Sequence, residues 1–246
     1  MQLNSTKKAL LLLSFLAFSI QSQAQNTRSF FSVAGGYSLP VGELAREKLD
    51  DPFAGLTGSG YFGQANYDFR VFRWLGLRAS GSMNINNTNS APILEKADTY
   101  AELLNDTYNW QSRVSRWKLN AVMLGPALYI NFKRVQIELH AQAGKIWANS
   151  PSVNLVGTSK SGGETLNVNL IPASTSAFGL AGGLSLRLPL AGALFFQIGA
   201  DMIGAEAEIK DVSVEVTRGT YKYNDRIHEK RFVGVVNAGA GFGLAF

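Results

Sequence analysis

The fifteen residues from Phe232 to Phe246 constrain the fold more than any other stretch of this chain. Every second residue back from Phe246 gives Leu244, Phe242, Ala240, Ala238, Val236, Gly234 and Phe232, a greasy set closed by aromatic rings. The set between them is Ala245, Gly243, Gly241, Gly239, Asn237, Val235 and Val233, small residues with one amide. A repeat of two is that of a β-strand. A strand that is apolar on one side and small or polar on the other fits a wall between hydrocarbon and a tight interior. A strand of a water-soluble sandwich would carry the reverse pattern, polar outside and apolar inside.

Seven more segments alternate. Phe31, Val33, Gly35, Tyr37 and Leu39 oppose Ser32, Ala34, Gly36 and Ser38. Between Gly58 and Val71, Tyr61, Gly63, Ala65, Tyr67, Phe69 and Val71 oppose Gln64, Asn66, Asp68 and Arg70. The third sets Leu75, Leu77, Ala79, Gly81, Met83 and Ile85 against Arg78, Ser80, Ser82, Asn84 and Asn86. The fourth, Trp117 to Phe132, is irregular. Its upper half places Leu119, Ala121 and Met123 outward with Lys118 and Asn120 inward; its lower half places Leu128, Ile130 and Phe132 outward. That slip of phase predicts a bulge near Gly125-Pro126, where a missing proline donor is tolerated.

The fifth sets Val135, Ile137, Leu139, Ala141, Ala143, Lys145 and Trp147 against Gln136, Glu138, His140, Gln142 and Gly144, with Lys145 snorkelling at the rim. The sixth sets Phe178, Leu180, Gly182, Leu184, Leu186 and Leu188 against Ala177, Gly179, Ala181, Gly183, Ser185 and Arg187. The seventh sets Leu194, Phe196, Ile198, Ala200 and Met202 against Phe195, Gln197, Gly199, Asp201 and Ile203.

The connections alternate in length. Phe72-Arg73-Trp74, Lys133-Arg134 and Leu190-Ala191-Gly192 are tight; Pro40–Leu56, Asn87–Ser115, Asn149–Ala173 and Glu206–Arg231 are long and polar. Ile93 to Leu104 reads as a short helix within the second long connection, and Glu206–Arg231 as a continuation of its flanking strands. Outer-membrane barrels have short periplasmic turns and long extracellular loops. With the tight turns placed inward, Tyr37, Tyr61, Trp117, Trp147, Phe178 and Phe232 form an outer girdle. Phe30, Phe69, Trp74, Tyr129, Phe132 and Phe246 form an inner one, although Phe30 and Tyr129 fit it by height and not by face. The competing fold, a water-soluble lipocalin-like barrel, would have to bury these rings and expose the amides and charges.

Composition agrees. Charged residues make up only 17% and the mean hydropathy is near zero, too polar for a bundle of membrane helices but natural for strands that show oil on one face only. Lys7 and Lys8, the apolar run Ala9–Ile20 and Ser22-Gln23-Ala24 read as a secretory signal cut before Gln25. The apolar run is too short to span a membrane, and no cysteine follows it to carry a lipid. Without any cysteine, an exported chain has to be stabilised by packing or bilayer burial. The signal holds two lysines and no acids, so the formal charge falls from +5 to +3 on cleavage. No basic run with interleaved aromatics points to nucleic acid. The expected domains are thus 1–24, a signal peptide, and 25–246, an all-β, eight-stranded antiparallel up-and-down transmembrane β-barrel with long extracellular loops.

With these residues in hand, the chain resembles the small OmpA/OmpX-type outer membrane β-barrel proteins. The resemblance covers about Phe30 to Phe246 and rests on strand count, on Leu124-Gly125-Pro126-Ala127-Leu128-Tyr129 and on the Gly-rich last strand. It implies residence in a bacterial outer membrane among its lipids and insertion by the barrel-assembly machinery. Phe242, Leu244 and Phe246 would stand where that family carries its assembly signal. No peptidoglycan-binding domain of the OmpA type is expected, since the chain stops at Phe246, and the resemblance identifies architecture better than task.

The inward set holds Asp68, Arg70, Arg78, Lys118, Glu138, His140, Arg187 and Asp201. Eight strands enclose a bore just wide enough for side chains, and charges confined there have to pair. The first expectation is an ion-pair and amide network that plugs the bore of a monomer; the alternative is a narrow ion or small-solute pore. A lipid-active barrel enzyme is a weaker alternative. His140 and Glu138 form an acid–base pair, but they sit near the periplasmic turn, and neither a G-x-S-x-G nucleophile motif nor a metal-spaced cluster occurs. His228, in the last connection beside Glu229 and Lys230, reads as a solvated imidazole. No cofactor is expected. A surface-interaction role through the loops is the remaining class, with Tyr100, Tyr108 and Trp110 as candidates to contact an extracellular ligand, or to pack on the barrel rim instead.

Overall fold

The computed structural model describes residues 28–46, 55–103, 106–133 and 135–246; the expected signal peptide lies outside them. Eleven strands are present: β1 (Ser29–Val41), β2 (Thr57–Arg70), β3 (Leu75–Thr88), β4 (Tyr108–Val114), β5 (Trp117–Phe132), β6 (Val135–Asn149), β7 (Val153–Ser159), β8 (Leu166–Ile171), β9 (Ser174–Pro189), β10 (Leu194–Arg218) and β11 (Tyr221–Ala245). A helix, α1 (Ala91–Leu103), precedes β4. It falls where the sequence places one.

Eight of the strands close a ring in the order β11-β1-β2-β3-β5-β6-β9-β10, and β10 pairs back onto β11. Every neighbouring pair is antiparallel. The first and last strands are joined from Phe30↔Ala245 to Val41↔Gly234. Closure gives every strand of the ring a neighbour on both sides, the condition for a sheet to sit in lipid. No described helix is long and apolar enough to cross a membrane.

The faces follow the alternation. Phe31, Val33, Tyr37, Tyr61, Tyr67, Leu77, Leu139, Leu184, Ile198 and Phe242 point out, while Asn66, Asp68, Arg78, Glu138, Arg187 and Asn237 are buried inside. Aromatic belts bracket the outer face. Tyr37 and Tyr61 pack together near the long-loop end, with ring centroids 5.5 Å apart. Phe72 and Trp74 stack at the short-turn end, where Phe132 and Phe246 are also exposed. An apolar exterior around a polar lower bore is the arrangement of a membrane-spanning barrel.

Strand β5 corrects the sequence reading. No bulge occurs at Gly125-Pro126: the ladder with β3 runs unbroken from Leu75↔Leu128 to Asn86↔Trp117, with Leu77↔Pro126 and Arg78↔Gly125 in register. Trp117, Leu119, Ala121 and Met123 therefore point inward, and Val122, Leu124, Leu128 and Ile130 point to lipid. Lys118 is exposed on the outer face near the rim and does not join the bore network, because Trp117 holds the inward position there. Its long stem can carry the ammonium to water from that height. Trp117 likewise leaves the outer girdle: its Nε1 donates to the Gly55 carbonyl at 3.0 Å. The one register shift in the β10–β11 ladder lies higher, between Ile209 and Val212.

The long connections hold more order than their polarity suggests. β4 pairs with β7, β7 with β8, and β8 with the upper part of β10. Strands β10 and β11 are 25 residues each. Roughly ten residues cross a bilayer, so this hairpin carries a sheet well above the rim. Its tip pairs Arg218↔Tyr221 across Gly219-Thr220, and Gly219 takes φ +57°, the left-handed conformation that two-residue hairpin turns demand.

Candidate functional site

Three tiers fill the bore. At the short-turn end Phe30, Tyr129 and Phe195 point inward, and guanidinium groups lie on their faces. Arg70 sits 4.5 Å from the Phe30 centroid and 4.8 Å from that of Tyr129, and Arg187 sits 5.3 Å from that of Phe195. Cation–ring contacts of this kind pack a charge against apolar surface.

Above them lies the charge cluster. Strands β2, β3, β6 and β9 each aim one long side chain at the same point, because Asp68, Arg78, Glu138 and Arg187 share the inward parity. Glu138 is paired with both Arg78 and Arg187 and is wholly buried. Arg187 also pairs with Asp68, and Arg78 lies 3.9 Å from Asp68. His140 bridges the next pair, with Nδ1 3.3 Å from Glu138 and Nε2 3.0 Å from Asp201. Ser185 donates to Glu138 at 3.3 Å and Tyr129 to Asp68 at 3.4 Å. Gln142 accepts from Ser80 and donates to the Arg78 carbonyl. Asp68, Glu138 and Asp201 thus share the bore with three guanidinium groups: Arg78 and Arg187 are ion-paired directly, Arg70 lies on the rings below, and one imidazole stands between two of the carboxylates. Low dielectric makes such mutual pairing obligatory. A void of about 10 Å³ among Gln64, Arg78, Gln197 and Asp201 has room for about one water.

The third tier is apolar on the side of β5, β6, β10 and β11, while buried Ser38, Asn84 and Asn86 line it from β1 and β3. Leu119, Ala121, Met123, Ile146, Ala148, Ile203, Ala205, Val233 and Val235 form one cluster with Trp117 and Leu44. Leu44 belongs to a short 3₁₀ turn, Gly42–Ala45, that folds from the first long connection into the mouth. Glu43 anchors the turn by accepting the Phe232 backbone N–H at 2.6 Å.

Seven of the eight residues expected in the bore are therefore brought together; Lys118 is not. What the alternation did not reveal is the upper plug, because Leu44 comes from a connection rich in charges. As chemistry, the cluster offers no nucleophile to its imidazole: Ser185 donates to Glu138 and not to His140. Among the described residues no group of metal-ligating side chains occurs.

The projecting sheet is the second candidate. Tyr108 is buried, packed with Leu166, Trp110 and Val216 in a small core of its own, so it is not available as a contact residue. Its ring lies 5.5 Å from that of Trp110, and Trp110 Nε1 donates to Asp98 of α1 at 2.7 Å. Tyr100 falls on α1. His228 falls within β11 and not in a loop. Tyr221 and Tyr223, not singled out in the sequence, stand exposed beside the hairpin tip. The Gly-Thr turn between alternating valines and tyrosines was the readable signal. Asp106 ties β4 to the β7–β8 hairpin, accepting from Ser161 at 2.8 Å and Ser159 at 3.1 Å. The Ser161 hydroxyl, with further hydrogen bonds from Ser159 and the Thr107 N–H, holds its carboxyl below the usual carboxylate range.

At the inner end of the wall, Phe242, Leu244 and Phe246 share the outward face as expected, and Phe242 packs on Phe196 with centroids 5.4 Å apart.

No family model and no curated protein matches the sequence. Solved structures do. A major outer membrane protein of Thermus thermophilus is 9% identical, with 90% of this chain and 100% of that one covered and a TM-score of 0.46. Ail, the attachment invasion locus protein of Yersinia pestis, is 12% identical, with 88% and 99% covered and a TM-score of 0.42. The outer membrane protease OmpT of Escherichia coli is 8% identical, with 92% and 100% covered and a TM-score of 0.37. The barrel described above stands on its own ladders.

Proposed function

We propose that the protein is an integral outer-membrane β-barrel that conducts nothing and catalyses nothing, and that its working part is the sheet held above the rim. The long-hairpin end then faces the exterior and the short turns the periplasm. One observation carries the reading: β4, the last strand of the projecting sheet, pairs with β7 on one side and with no strand on the other, among the described residues. An open edge offers backbone N–H and C=O groups to an extended segment of another protein. Asn109, Gln111, Ser112 and Arg113 are exposed along it, which leaves it polar and lightly charged. The filled bore supports the same division of labour, because a rigid plug makes a firm base for an outer binding surface.

The test is adhesion. Cells displaying the intact protein should hold to surfaces coated with extracellular proteins, and a variant lacking residues 108–114 should not, while both show the same heat-dependent gel migration of a folded barrel. Equal adhesion by the two would refute the reading.

A further inference from the structure

The barrel wall is unzipped in one place. β9 and β10 are laddered from Phe195↔Pro189 up to Gly204↔Leu180, and there the pairing stops. On that side β10 next finds a partner at Ser213, which pairs with Ile171 of β8. Among the described residues the stretch 205–212 has no ladder neighbour on that side. One side chain crosses the gap, Thr175 Oγ1 donating to the Glu208 carbonyl at 2.7 Å.

A cleft of about 760 Å³ opens at the seam, lined among others by Phe178, Leu180, Ala181, Met202, Ala205 and Phe232. That volume falls within the roughly 300–1,000 Å³ of small-molecule sites. Phe178 and Leu180 on its lip are 74% and 65% exposed. Its floor is equally apolar, since Ala181 and Ala205 belong to the cluster that fills the upper bore with Ile146 and Ile203. Gly204 belongs to the groove because Phe232 lies across it: a Cβ there would stand 2.5 Å from the ring. At the upper end Glu206 and Lys230 pair at 2.7 Å in the exposed region.

The height of the cleft decides what fills it. Phe178 to Leu188 is about the length of tilted strand that crosses a bilayer, so the cleft lies in the leaflet on the projecting-sheet side, with Phe178 at the interface. The medium there is hydrocarbon, and at its upper margin the ladder ends at Gly204↔Leu180, so the backbone of Ala205 and Glu206 reaches the interface with no strand beside it on that side, a cost where oil would cover it. A membrane lipid answers both needs, with a chain for the cleft and an ester or amide linkage for the backbone. We infer that the β9–β10 seam is a lipid site, taking one acyl chain of a lipid of that leaflet with its polar linkage level with Phe178 and Glu206. The inference goes beyond the adhesion reading and rests only on the barrel's being in a membrane. Moving a chain from bulk lipid to the cleft is oil to oil, so the preference comes from packing and the polar linkage.

The probe is a phospholipid with a diazirine near the end of one acyl chain, in nanodiscs holding the full barrel. After illumination, adducts mapped by mass spectrometry should concentrate on residues 178–182 and 202–205. We expect about fivefold enrichment over the equally lipid-exposed faces of β2 and β3, which is what ~1 kcal/mol gives. Gly182→Phe fills the cleft, and a Cβ there meets nothing nearer than the His140 carbonyl at 3.6 Å; it should bring the seam down to the β2–β3 level. Met202→Trp, on the facing strand, should do the same and decides the matter if Gly182→Phe fails to assemble. Adducts spread evenly round the barrel, or undiminished in the assembled variants, overturn the proposal. Absence of labelling on every outer face would instead refute membrane insertion.

Discussion

Removing the Glu138 carboxylate should be among the most damaging single changes in the bore. Glu138 is wholly buried and contacts Arg78, Arg187, His140 and Ser185 at once. In Glu138→Ala the guanidinium groups of Arg70, Arg78 and Arg187 face only Asp68 and Asp201, and the balance of three against three becomes three against two. Breaking a buried pair by deleting one partner costs about 3–5 kcal/mol, because the survivor stays buried without compensation. Replacing both partners by apolar residues of similar volume is often nearly neutral. Glu138→Leu with Arg78→Leu restores two against two and should therefore lose less stability than Glu138→Ala alone. Equilibrium urea unfolding in lipid vesicles, followed by tryptophan fluorescence, gives the stabilities of the wild type, Glu138→Ala, the two leucine singles and their double. A loss below about 1 kcal/mol in Glu138→Ala, or a double variant as weak as the sum of its singles, would refute the account of the plug.

The inward phase of upper β5 predicts that a cysteine at Val122 is quenched by a lipid-phase probe and one at Met123 is not; the opposite result would restore the bulge. Trp117→Ala should destabilise the barrel by about 3–5 kcal/mol, measured by the same unfolding, because the indole is buried and holds the Gly55 carbonyl. Planar-bilayer recording should show no steady current, and a stable conductance of porin size would contradict the three-tier filling. Asp106 titrates below its unfolded value, so its contribution to the rim is present above about pH 4 and disappears as pH falls through the lower, folded value. Proteolysis near Ser159–Gly163 should rise over that acid range in the wild type, and Asp106→Asn should abolish the dependence.

Most of the barrel was legible because seven of its strands contrast oil with polarity residue by residue. In β2, Asp68 and Arg70 between Tyr67, Phe69 and Val71 leave one possible phase. Upper β5 defeats the same logic. Leu119, Ala121 and Met123 on one face and Val122 and Leu124 on the other are both apolar, and Lys118 goes inward only on the premise of a polar bore throughout. Above the charge cluster the bore stays polar along β1 and β3, at Ser38, Asn84 and Asn86, but turns apolar along β5, a property of the assembled ring that no single strand records. The ion-pair network was readable in membership through parity, but the meeting of Arg78 with Glu138 depends on which strands lie opposite. Strands β4, β7 and β8 were missed because their Asn, Ser and Thr content reads as loop, and their pairing partners lie far away in sequence.

The ring is closed by a strand made last. β11 supplies the neighbour both to β1 and to β10, so until residues 232–246 have docked the sheet carries two bare margins. On those margins Phe31, Val33, Phe196 and Ile198 keep a neighbour on one side only. Bare margins of that kind invite aggregation, and the docking of one ribbon covers both at once, turning an open curl into a finished cylinder.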